Sequence, residues 1–315
     1  MKGKHPKSRM KSSKEEKQKW HLFMSSRTIL FFAFNIVTIV IFYNYIRKLT
    51  TLSFQNELYS HIILIPFVSG YFIYLKRREL FSDAKYSFAS GIMIILIGIV
   101  LYSIGLNQET SLTQNDSLSL IVFSAVTFWI GGFVFFYGFE SFRIATFPLL
   151  FLFFLTPIPD AAVEKIILLL QMGSAEVAYG FFKLTGVRVL REGFTFNLPG
   201  ISIEVAKQCS GIRSTIALFL TSIIAGQLFL QTGWRKIVLA MSIFPITIFK
   251  NGLRIVTLSL LGIYIDRRIL FSELHKSGGI LFFVVALALL APFLWVLRKS
   301  ENRIKSSRLG TEKEV

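Results

Sequence analysis

The stretch FASGIMIILIGIVLYSIGL, Phe88–Leu106, contains no charged residue. A helix of ~20 residues, rising ~1.5 Å per residue, crosses the hydrocarbon core of a bilayer, so this block has the length and composition of a membrane span. Similar blocks precede it at Thr28–Ile46 and Tyr59–Leu75 and follow it at Leu118–Tyr137, Ile144–Ile158, Gly211–Leu230, Ile237–Val256 and Gly278–Leu297. The 315-residue chain is 53% apolar and 17% charged and holds 33 Phe, and a soluble fold would have to hide all these blocks at once. The fold class is therefore an all-α polytopic membrane protein of about eight transmembrane helices.

The net charge of +17 sits mainly in tails and short loops, a pattern that sets membrane topology and argues against nucleic-acid binding. Residues 1–27 form a basic tail too polar to bury, and 298–315 form a second one. Between them lie a four-span region, 28–137, and a membrane core, 138–297, that holds the candidate chemistry. Lys76, Arg77, Arg78 and Lys85 follow the second block, Arg143 precedes the fifth, and Arg235 and Lys236 precede the seventh. By the positive-inside rule these mark the cytoplasmic side, with both termini inside; Arg267 and Arg268 are exceptions. The segment Asn107–Ser117, with Glu109 and Asp116 and no Lys or Arg, faces outward.

Two further segments belong to the outer side. Ala161–Leu184 is apolar but interrupted by Glu164, Lys165, Glu176 and Lys183, which reads as a helix lying at the interface. After it, Phe194, Phe196, Leu198, Ile201, Ile203 and Val205 alternate with polar residues around Pro199-Gly200, the pattern of a short extracytoplasmic β-hairpin.

Cys209 is the only cysteine, which excludes an internal disulfide and any multi-cysteine metal cluster. It stands where the sixth span begins, with Arg213 four residues on, and both the helix dipole and the guanidinium favour a thiolate there. A lone Cys in a membrane helix also serves as a small apolar filler. In the seventh block, a cation such as Arg254 or Lys250 costs ~2.5–3.5 kcal/mol in the bilayer unless it faces a cavity, a partner or the interface. Asn251 is placed to orient Arg254 or to cap a bend. His275, just before the last span, has the titration range of a general acid or base; His61 is a rival, while His5 and His21 lie in the cytoplasmic tail. Topology alone puts Cys209, Arg254 and His275 on one face. A nucleophile, a fixed cation and a titratable base make an acyl-transfer site. A transporter or channel lined by Arg254, Lys250 and His275, or a non-catalytic envelope-biogenesis scaffold, are the competing classes; the lack of intramembrane carboxylates and of paired repeats counts against transport.

The order of motifs resembles the exosortase/archaeosortase family of membrane cysteine transpeptidases. It runs through Thr156-Pro157-Ile158-Pro159, Gly186-Val187, Arg191-Glu192-Gly193, Cys209-Ser210-Gly211-Ile212-Arg213-Ser214, Asn251-Gly252-Leu253-Arg254-Ile255, and His275 before Gly278-Gly279. Gln208 departs from the small residue common before the family's nucleophile, and His275 resembles the bacterial, exosortase branch. The resemblance implies a thiol protease and transpeptidase in the cytoplasmic (inner) membrane, with its active site on the extracytoplasmic face. Its catalytic residues would be Cys209, Arg254 and His275; beside the resemblance, Arg213, as a partner for the motif's carboxylate, and Asn251 are the candidate substrate-binding residues. Its partners would be membrane lipids and exported proteins ending in a short motif such as Pro-Glu-Pro, a transmembrane helix and a basic tail. No cofactor, metal or nucleic acid is implied.

Overall fold

The computed structural model describes residues 26–82, 85–108, 111–266 and 279–311. Their contacts divide the chain into two units, Met1–Asp160 and Ala161–Val315. Among the described residues, seven helices are long and apolar enough to cross a membrane. An eighth span is reached if Thr146–Leu155 and Asp160–Leu184 count as one broken span. With one small three-stranded sheet, the fold is that of an all-α polytopic membrane protein.

The first unit contains α1 (Ser26–Gln55), a 3-10 turn at Glu57–Ile63 that leads into α2 (Leu64–Ser82), α3 (Phe88–Asn107), α4 (Gln114–Ile144) and the short α5 (Thr146–Phe151). Gly91, Gly98 and Gly105 recur every seventh residue and let α3 lie directly on α4. A Cβ added at Gly91 would come 2.5 Å from the Phe135 Cα. Small residues favour such contacts in lipid, where packing rather than the hydrophobic effect draws helices together. Val126, Ile130, Phe133, Val134 and Tyr137 of α4 form the core with Leu80 and Leu149.

The expected span Ile144–Ile158 is not one helix. Ile144 ends α4, α5 stops at Phe151, a 3-10 turn covers Leu152–Leu155, and regular structure ceases until Asp160. The physical reason lies in Thr156-Pro157-Ile158-Pro159: neither proline has an amide hydrogen, and each disfavours helix in the residue before it. The carbonyls thus freed are taken up by side chains. Ser119 Oγ donates to the Pro157 carbonyl at 2.8 Å, and Asn115 Nδ2 donates to that of Ile158 at 2.8 Å. Asp160 is held by Thr113 Oγ1 at 2.6 Å and Asn115 Nδ2 at 2.8 Å.

The second unit comprises α6 (Asp160–Leu184), β1 (Leu190–Glu192), β2 (Thr195–Leu198), β3 (Ile201–Glu204), α7 (Ile212–Phe229), α8 (Gly233–Met241), α9 (Ile243–Tyr264) and α10 (Gly279–Thr311). The hairpin expected around Pro199-Gly200 is β2–β3, and β1 adds a third antiparallel strand to give the order β1-β2-β3. Phe196, Leu198 and Val205 are buried with Ala175, Ala178 and Phe182 of α6 and Val256 of α9, so the sheet is fastened between two helices. A second core joins Leu218, Leu239 and Ile243 to Ala286, Leu290 and Leu297 of α10.

The seventh block differs from its expected limits of Ile237–Val256. It breaks at Ser242, between α8 and α9, and continues eight residues beyond Val256 to Tyr264. Leu258, Ser259 and Gly262 in that extension are buried, so one face of it is covered by protein. α10 likewise runs past Leu297. Its Glu301 accepts hydrogen bonds from the Gln231 amide at 3.1 Å, the Thr232 amide at 2.7 Å and the Thr232 hydroxyl. Glu301 also pairs with Arg235 at 3.3 Å, so Arg235 is a buried partner rather than a solvated loop charge.

Candidate active site

Position 209 is built by the passage from sheet to helix in the second unit. Gln171 Nε2 on α6 donates to the Val205 carbonyl at 2.7 Å, and the Val205 amide donates to the Phe194 carbonyl at 3.0 Å, so the chain leaves β3 from a fixed point. A single 3-10 turn, Lys207–Ser210, follows, with the Cys209 amide donating to the Ala206 carbonyl at 2.8 Å. Gly211 then adopts φ +80°, a left-handed conformation that residues with a Cβ resist, and turns the chain into α7. Cys209 therefore precedes the start of α7, whose first amide groups have no partners within the helix and supply positive potential.

α9 braces this turn from the side. Asn251 Nδ2 donates to the Cys209 carbonyl at 2.8 Å and to Ser174 Oγ of α6 at 3.0 Å. Asn251 thus grips the backbone of Cys209, where the spacing had pointed to an orienting bond to Arg254 or a bend cap. One residue earlier, Lys250 Nζ donates to Ser214 Oγ at 2.8 Å, and Ser214 Oγ donates to the Gly211 carbonyl at 2.8 Å. The Cys209-Ser210-Gly211 turn is therefore tied to α9 at both ends. Gly252 makes that approach possible, since a Cβ there would lie 2.5 Å from Val177 Cγ1 and 3.2 Å from the Ala178 amide nitrogen of α6.

Cys209 is half-buried and lines a small, partly open cleft with Ile203, Glu204, Val205, Asn251, Arg254, Ile255, Leu258 and Ser259. Arg254 lies one helical turn beyond Lys250, and its guanidinium is within electrostatic reach of Cys209 and of Arg213. Three of the expected residues, Cys209, Arg254 and Asn251, thus share one cleft. Arg213 is exposed and does not line it. His275 lies outside the described residues. The rival His61 belongs to the first unit, where its Nδ1 contacts the Leu58 carbonyl at 3.1 Å. Glu204 and the bracing residues Gln171, Ser174 and Ser214 had not been singled out. Glu204 left a trace in the sequence as a polar position in the alternating hairpin, and Ser214 as the last residue of the motif that begins at Cys209.

A cysteine sulfur and a guanidinium thus share a mostly apolar cleft in a polytopic membrane protein. The family profile for transmembrane exosortases (Exosortase_EpsH) matches residues 53–292, and the chain belongs to that family. The family consists of membrane cysteine peptidases and transpeptidases that act in sorting, on exported proteins with C-terminal signals. No curated protein and no solved structure matches the chain.

Proposed function

We propose that the protein cleaves the C-terminal sorting signal of exported proteins at the extracytoplasmic face of the cytoplasmic membrane, through a thioester on Cys209. The observation that carries this reading is the convergence of Cys209 and Arg254, 45 residues apart in sequence, on one cleft. The Cys209 thiolate attacks the scissile carbonyl carbon, forming a C–S bond and a tetrahedral oxyanion. Arg254 stabilises that oxyanion as a fixed charged donor in a site of low dielectric. When the C–N bond breaks, His275 delivers a proton to the departing amine. An acceptor nucleophile, activated as His275 takes its proton, then attacks the thioester and releases the Cys209 thiolate. Asn251 holds the Cys209 carbonyl so that the sulfur keeps its aim, and Arg213 pairs with a carboxylate in the sorting motif.

The test is a reporter ending in Pro-Glu-Pro, a transmembrane helix and a basic tail, reconstituted with the enzyme in proteoliposomes. Wild-type protein is expected to shorten the reporter, while Cys209→Ala and Arg254→Ala leave it intact. Arg213→Gln is expected to lose the preference for an acidic over a neutralised motif. Normal processing by Cys209→Ala would refute the mechanism.

A further inference from the structure

The edge of the sheet beside the cleft has unpaired backbone groups. β3 is the last strand in the order β1-β2-β3, so among the described residues one of its sides has no neighbouring strand. Which groups face that side follows from the ladder. The Val205 amide bonds to the Phe194 carbonyl, and hydrogen-bonded pairs in an antiparallel ladder recur at every second residue. In the register Phe196↔Ile203 and Leu198↔Ile201, Ile201 and Ile203 therefore bond to β2, while the backbone groups of Ser202 and Glu204 point away from it. Both residues are exposed. The Glu204 carbonyl accepts a bond from the Ala206 amide at 3.0 Å. The Ser202 amide, the Ser202 carbonyl and the Glu204 amide have no backbone partner among the described residues.

Unpaired strand edges are templates for another extended chain, and proteins usually blunt them with charge, proline or a covering element. On the opposite edge, Arg191 of β1 is drawn into an ion pair with Glu176 at 2.9 Å and lies over the rings of Tyr179 and Phe196. β3 carries no proline and no basic residue. Ile203, Glu204 and Val205 at its end line the same cleft as Cys209 and Arg254. A peptide seated on this edge would be led directly to the sulfur.

Resting on the reading under Proposed function, we propose that β3 is the substrate-binding edge: the segment before the scissile bond adds to the sheet as a fourth strand. β3 runs toward the start of α7, and a substrate anchored by a C-terminal transmembrane helix also runs toward the membrane, so the added strand is parallel to β3. In that arrangement the Ser202 amide and carbonyl reach substrate residues on either side of the one facing Ser202, and the Glu204 amide adds a bond nearer the cleft. The backbone supplies most of the binding, and the cleft reads the side chains nearest the cut.

Two experiments with the full-length enzyme in proteoliposomes test this. Ser202→Pro removes the outward amide hydrogen without touching a rung shared with β2, and proline is tolerated at such edge positions. Processing of the Pro-Glu-Pro reporter is expected to show a KM raised about tenfold, with kcat within about twofold of wild type, as loss of ~1.4 kcal/mol of ground-state binding requires. An unchanged KM in folded Ser202→Pro protein would overturn the proposal. The second experiment replaces single amides by esters in a synthetic reporter upstream of the cut. Binding is expected to weaken most at the one position whose N–H reaches the Ser202 carbonyl, whereas a flat profile overturns strand addition, and this series decides the matter if Ser202→Pro does not fold. Cleavage by the wild type with a flat ester profile removes the strand-addition proposal alone. No cleavage by the wild type removes the proposed function, and this inference with it.

Discussion

Replacing Gly252 by alanine introduces one methyl group where α9 meets α6. In an open helix this change would stabilise the protein by up to ~1 kcal/mol, because glycine has more backbone entropy to lose on folding. Here the new Cβ would stand 2.5 Å from Val177 Cγ1, 2.8 Å from Val177 Cβ and 3.2 Å from the Ala178 amide nitrogen. Carbon atoms make unstrained contact at about 3.5–4.0 Å, so the neighbours must yield by ~1 Å. Val177 is β-branched and has little rotamer freedom in a helix, and the Ala178 nitrogen is backbone, so the helices themselves must separate. Such overpacking costs ~1–3 kcal/mol, which reverses the sign expected of an open helix. The functional cost is larger. Asn251 precedes Gly252 and Arg254 lies two residues beyond it, and Asn251 bridges Ser174 and the Cys209 carbonyl, so movement of α9 shifts the proposed nucleophile and its neighbouring cation. Misplacement by ~1 Å costs on the order of 10²-fold in rate. Gly252→Ala is therefore expected to slow reporter processing about 10²-fold in proteoliposomes and to lower the unfolding temperature in detergent. Val177→Ala in the same chain should recover part of both losses, because it removes the Cγ1 contact and leaves the Cβ contact. Wild-type processing by Gly252→Ala, or no recovery in the double variant, would refute the close-approach argument.

Three other substitutions probe separate parts of the fold. Glu301→Gln leaves Arg235 buried without its counter-charge, the side chains of the pair being 11% and 5% exposed. It should cost ~3–5 kcal/mol by denaturation in detergent, and pairing it with Arg235→Met should recover most of that loss. Gly211→Ala places a Cβ on a residue at φ +80°, in ordinary contact with Asn251 and Lys250 at 3.5 Å, so backbone strain alone should cost ~1–2 kcal/mol in the same measurement. His61→Ala should process the reporter at the wild-type rate, since His61 is tied into the 3-10 turn of the first unit; a large loss would reopen the choice of catalytic histidine.

The membrane architecture was legible because hydrocarbon leaves so few options. A segment such as Phe88–Leu106, with no charge, has to be a helix in lipid, since only a helix satisfies its own backbone there. Break points were less legible. Hydropathy could not distinguish a helix that leaves the bilayer from one that continues into protein, so the extension of α9 to Tyr264 went unread; the apolar residues that cover it belong to α6 and the sheet. Pro157 and Pro159 are helix breakers, yet the block Ile144–Ile158 was read through Pro157 as one span. That α5 ends before them, and that side chains of α4 take up the carbonyls, depends on partners about forty residues away.

The candidate site divides along the same line. Cys209, Arg254 and Asn251 stood out because a sulfur, a guanidinium and an amide are rare in apolar helices and each demands a reason there. Their supports did not stand out, because the groups they serve are backbone. Any residue offers a carbonyl like that of Cys209, so nothing in the sequence marked it as the acceptor for Asn251, and a serine such as Ser174 is ordinary in a membrane helix. The same holds for the β3 edge, whose open groups are those of Ser202 and Glu204 only because the ladder closes through Val205 and Phe194. A single-residue slip in that register would turn the amides of Ile201 and Ile203 outward instead, and would carry their side chains from the core to solvent. The burial of Phe196 and Leu198 opposite them fixes the register, so the hydrophobic pattern that holds the hairpin also decides which backbone groups meet the substrate.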